Sequence, residues 1–105
     1  MDKQDIVKVI LGSLQDIIEE HDLAEEIPEN GINADTFLLG RRSFVDSLNL
    51  VSMIVDVEQK LNAQHGIGIT IADERAMSRE KSPFRTVETL AEYIEELIHE
   101  LDARG

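Results

Sequence analysis

Apolar side chains recur at helical spacing in three stretches of this chain, and the gaps between those stretches set its organisation. Ile6, Val9, Ile10, Leu14, Ile17 and Ile18 share one face of a helix over residues 3–20, with Asp2 or Asp5 at its positive end. His21-Asp22 and then Ile27-Pro28-Glu29-Asn30-Gly31 stop it, because Asn30-Gly31 is a turn dipeptide and the proline disfavours helix at Ile27. From Leu23 to Val45 little periodicity remains. Leu23, Ile27, Ile32, Phe37, Leu38, Leu39 and Phe44 are nonetheless too apolar for a free linker, so they are expected to pin this connection against a bundle, with a short turn around Ala34 to Leu38. A connection this long in a small domain is uncommon and usually functional.

Asp46 then supplies an N-cap for a second helix over residues 47–63, whose i, i+3, i+7 series reads Leu48, Val51, Ile54/Val55, Glu58 and Leu61, apolar except at Glu58. Gly66 to Ile71 alternates like a strand, yet a lone strand has nothing to pair with, and an extended loop is expected. A short third helix is expected from Asp73 to about Arg79, ended before Ser82-Pro83. Thr86 caps a last helix with the cleanest stripe of all: Val87, Leu90, Ala91, Ile94, Leu97, Ile98 and Leu101, with its glutamates mostly opposite. The expected fold class is all-α, a small four-helix bundle of three long helices and one short one, with a long loop between the first two.

A chain of 105 residues has room for one domain, residues 1–105, and one modest core. With aromatics at 4% that core must be aliphatic. The absence of cysteine removes disulfides and thiolate chemistry, and no apolar run approaches the ~18 residues that would span a bilayer. A cytoplasmic monomer without stable membrane insertion is the expectation. The net charge of −12 repels nucleic acid and favours basic partners. One segment runs against it: Arg75, Arg79, Lys81 and Arg85 against Glu80 give +3 over residues 75–85, a solvated loop or a contact for an acidic partner.

Asp46-Ser47-Leu48 stands where the irregular connection gives way to the second helix. A serine in the first turn has its backbone at the positive end of the helix dipole, where a phosphodiester on its hydroxyl would be stabilised. The stretch Phe44-Val45-Asp46-Ser47-Leu48-Asn49-Leu50-Val51-Ser52-Met53-Ile54 resembles the prosthetic-group attachment region of acyl and peptidyl carrier proteins. The likeness extends over nearly the whole chain: a long loop before the serine, an aliphatic helix after it, a Gly-rich connection, an Asp-Glu-started segment, and Phe84-Arg85-Thr86-Val87 opening a last helix that contains Tyr93-Ile94.

The resemblance implies a non-catalytic acidic carrier in fatty-acid, polyketide or related specialised acyl metabolism. It places 4′-phosphopantetheine, taken from coenzyme A, on Ser47, framed by Asp46 and Leu48. Acyl groups would be carried as thioesters on the thiol of that arm, which needs no cysteine in the chain. Implied partners are a phosphopantetheinyl transferase, a loading ligase or synthase, and acyl-handling enzymes. Their docking surface would run along the second helix through Leu48, Asn49, Val51, Ser52, Met53, Asp56 and Glu58. There the acidic pattern of the family is thinned, since Asn49 and Ser52 stand where Asp and Glu are common, and this points to a specialised pathway. Val51, Val55, Ile71, Phe84 and Ile94 are candidate walls of an acyl pocket, and equally ordinary core. Two alternatives stay open: an aminoacyl or D-alanyl carrier, and an unmodified helical interaction module.

Other chemistry finds little support. His21, His65 and His99 have no i, i+4 pairing for a metal. Ser47 lies in no Gly-x-Ser-x-Gly elbow, and Gly66-Ile67-Gly68 lacks the strand before it and the further glycine of a dinucleotide loop.

Overall fold

The computed structural model describes residues 2–29, 31–40, 43–71 and 82–104, the side chains of Ser47 and of residues 102–104 excepted. Among them are three long helices: α1 (Lys3–Glu20), α2 (Ser47–His65) and α3 (Val87–Arg104). A single 3-10 turn, Ala24–Glu26, interrupts the first connection. The short helix expected over residues 73–79 lies outside the described residues; among those described the architecture is all-helical, with three long helices.

Local chemistry explains each boundary. Asp2 caps α1 by accepting from the Asp5 N–H at 2.9 Å. At the other end the His21 N–H reaches Ile17 O, and Asp22 turns the chain left-handed at φ 58°, a conformation Asp tolerates better than most residues. In α2 the Asp46 carboxylate accepts from the Asn49 N–H at 2.8 Å. That helix runs two residues beyond the expected end, to a left-handed Gly66 whose N–H bonds Asn62 O. The Ile67 N–H closes the last turn on Leu61 O at 3.1 Å. Thr86 and Thr89 cap α3 reciprocally: each backbone N–H donates to the other's hydroxyl oxygen, at 3.0 and 3.1 Å.

The long connection is fastened to the opening of α3. Phe37 and Thr86 form an isolated antiparallel bridge, flanked by bonds from Leu38 N to Arg85 O (2.8 Å) and from Val87 N to Thr36 O (3.0 Å). The Glu88 N–H donates to Ala34 O at 2.8 Å. The loop therefore satisfies first-turn donors of α3 that the helix itself leaves unpaired. The expected turn is present at Ala34-Asp35, and residues 66–70 are irregular rather than strand.

The helix α1 packs against both α2 and α3. Its expected stripe is buried, and so is that of α3 apart from Leu101, which is 42% exposed. Leu38, Val45, Ile71 and Phe84 join the same core, and Leu23, Ile27, Ile32, Leu39 and Phe44 pack at its edge as expected. Helix α2 corrects the sequence reading. Its inward residues are Leu50, Met53, Ile54, Val57 and Leu61, whereas Leu48, Val51 and Val55 are 77%, 57% and 46% exposed. Both faces of α2 carry aliphatic residues, so two helical phases fitted its pattern, and the core took the one containing Met53 and Val57. Among the described residues no helix is long and apolar enough to cross a membrane.

Candidate functional site

Two local hydrogen bonds brace the approach to α2. The Ser43 hydroxyl accepts from the Val45 N–H at 3.0 Å and donates to Val45 O at 3.1 Å, and Val45 is buried. Asp46, exposed, starts the helix with its carboxylate on Asn49 N, while its carbonyl accepts from Leu50 N at 2.9 Å. Ser47 is the first residue of α2, directly behind a fixed cap. Leu48 follows in solvent, and Leu48, Val51, Ser52 and Val55 form an exposed i, i+3, i+4, i+7 stripe beginning one residue after the serine.

The remaining candidate docking residues divide. Met53 is fully buried, so it belongs to the core and not to an outward contact surface. Asn49, 9% exposed, points its surface mostly inward as well. Asp56 pairs with Lys60 at 3.1 Å, and Lys60 also bonds Asp16 of α1 at 2.7 Å, joining the two helices. Partial burial lowers the pKa of Lys60, but hydrogen bonds to Asp16 and Asp56 outweigh it and hold the ammonium above its ordinary value. Glu58 accepts from the Ile71 N–H at 3.3 Å and so anchors the connection leaving α2. Both acids of mid-α2 thus have structural partners.

Among the candidate pocket walls, Val51 and Val55 face away from the packed interior that holds Ile71, Phe84 and Ile94. A different concavity lies in the connection that leads to Ser47. Pro28, Gly31, Asn33, Asp35, Thr36, Phe37 and Phe44 line an open cleft of about 310 Å³ in the long connection. Its turn is held by the Asn33 N–H on Thr36 Oγ1 and the Asp35 N–H on Asn33 Oδ1, both 2.8 Å, and the Arg85 guanidinium lies 5.9 Å from the Phe37 ring centroid. Arg75, Arg79 and Lys81 of the basic segment fall outside the described residues.

Sequence reasoning missed this cleft, the Phe37–Thr86 bridge and the Asp16–Lys60–Asp56 link. Only the last left a trace, the i, i+4 spacing of Asp56 and Lys60. The three histidines are all exposed, and among the described residues no three His, Asp or Glu side chains group as metal ligands would. No family model matches the chain, and neither a curated protein nor a solved structure gives a significant match.

Proposed function

We propose that this chain is a carrier protein that bears 4′-phosphopantetheine on Ser47 and presents thioester-bound acyl groups to separate enzymes. The observation that carries the reading is the placement of the Asp46-Ser47-Leu48 motif. Its serine opens a capped helix whose next exposed turn is an aliphatic stripe. The position suits the group. Asp46 and Leu48 on either side of Ser47 are exposed, and the first-turn N–H groups offer the positive end of α2 to a phosphodiester. When bound, the group supplies a thiol on a flexible arm, which this cysteine-free chain lacks.

Each residue then has a part. Asp46 fixes the helix opening and so the orientation of the Ser47 backbone. Leu48, Val51 and Val55 give a modifying or acyl-handling enzyme an apolar strip to bury, while Ser52 interrupts it with a small polar side chain. The thinned acidity of this face fits partners that dock by hydrophobic contact more than by charge. Residues 73–79 would complete a four-helix bundle as a short helix, and the carrier would work as a cytoplasmic monomer.

The test is intact-protein mass after incubation with coenzyme A, magnesium and a promiscuous phosphopantetheinyl transferase. The parent should gain one phosphopantetheine unit and Ser47→Ala none. No gain with two different transferases, in a folded protein beside a modified control carrier, would overturn the proposal.

A further inference from the structure

We infer that the cleft walled by Phe37 and Phe44 is a resting site for the phosphopantetheine arm and the first atoms of its cargo. The inference rests on the carrier reading above. Phe44 lies three residues before Ser47, so their backbones are at most about 11 Å apart however the chain runs between them. The cleft measures about 310 Å³, at the small end of ligand pockets, which run from about 300 to 1,000 Å³.

Its chemistry is mixed in the way the arm is mixed. The arm alternates two amides and a hydroxyl with a gem-dimethyl and methylene groups. The cleft offers the rings of Phe37 and Phe44 and the Pro28 ring for the apolar parts. Asn33 keeps its carboxamide oxygen on the Asp35 N–H, which leaves its NH2 as a donor for an arm carbonyl, and the Asp35 carboxylate is an acceptor for an arm N–H.

The walls are pre-formed. Thr36 is buried, its carbonyl is bonded to Val87, Phe37 is bridged to Thr86, and Phe44 packs on the core. Entry to the interior would mean displacing packed side chains such as Met53 and Ile94, both fully buried, whereas the cleft is open already. Strong intrinsic affinity is unnecessary. A short flexible tether gives a local concentration of about millimolar, so a site of about 1 mM affinity would be occupied about half the time. Half occupancy shields a thioester while leaving it free to be delivered.

Backbone amide spectra of ¹⁵N-labelled apo and holo protein test this. Conversion should shift Gly31, Asn33, Asp35, Thr36 and Phe37 as much as Leu48 and Asn49. Because the chain has no cysteine, the thiol of the holo form is the sole thiol, and a nitroxide attached there should broaden the same five amides. His65, at the far end of α2 and about 27 Å from its start, should stay sharp. Shifts confined to the neighbours of Ser47, or broadening centred on Ile71 and Ile94, would overturn the cleft and leave the carrier reading intact. Absence of any mass gain is seen before the spectra and removes the carrier reading itself, and the cleft with it.

Discussion

Asp46 acts on α2 through its 2.8 Å bond to the Asn49 N–H, so Asp46→Ala should lower stability by about 1 kcal/mol and the melting temperature by about 4–8 °C. Differential scanning calorimetry reads this directly, and an unchanged melting point would mean the cap is dispensable. Ser13 predicts the opposite sign. Its hydroxyl is buried with no hydrogen-bond partner among the described residues, and serine is a weaker helix former than alanine. Ser13→Ala should therefore stabilise the protein by about 0.5–1.5 kcal/mol in urea titrations; a loss would reveal a partner for that hydroxyl. Lys60 adds a pH dependence. Its folded pKa lies above the ordinary 10.5, so its stabilisation is complete below that value and disappears as the pH rises through the raised one. Above pH ~10.5 the parent should lose stability more steeply than Lys60→Met. The difference should stay under about 1 kcal/mol, because the pairs are partly exposed.

At the level of elements, α1 and α3 were legible because each has one apolar stripe and one charged face, so a single helical phase buries everything worth burying. Helix α2 was half legible. Its start was written in Asp46, but Leu48, Val51 and Val55 compete with Leu50, Met53 and Val57 for the inward side, and only the packed partners decide. The Phe37–Thr86 bridge was illegible for another reason: one backbone pairing between two irregular segments leaves no period in the sequence. The register of α2 makes a sharp contrast in mutants. Leu61→Ala should cost about 2–5 kcal/mol, and Val51→Ser, at 57% exposure, should stay within about 0.5 kcal/mol. Comparable losses at both would mean that the outer strip is covered. The same register changes how the proposed docking face should be engineered. Ser52→Glu adds a charge in solvent, whereas Asn49→Asp adds one at a 9% exposed position and risks the fold.

For the whole molecule, a net charge of −12 on 105 residues makes self-repulsion a term in stability. Raising ionic strength from 0.01 to 0.15 M shortens the screening length from about 30 to about 8 Å, so the melting temperature should rise. A fall would mean that ion pairs such as Lys3–Glu88 outweigh the repulsion. Architecture adds a different consequence. Helix α1 packs on both α2 and α3, and Lys3 meets Glu88 across 85 positions of chain. At about 5–20 residues per second, roughly 4–17 s of synthesis separate the two. For most of that interval the apolar stripe of α1 has been synthesised while α3, which covers part of it, has yet to be made. Until then α1 has only part of its eventual cover. The helix that unites the finished protein is the one that its synthesis leaves uncovered longest.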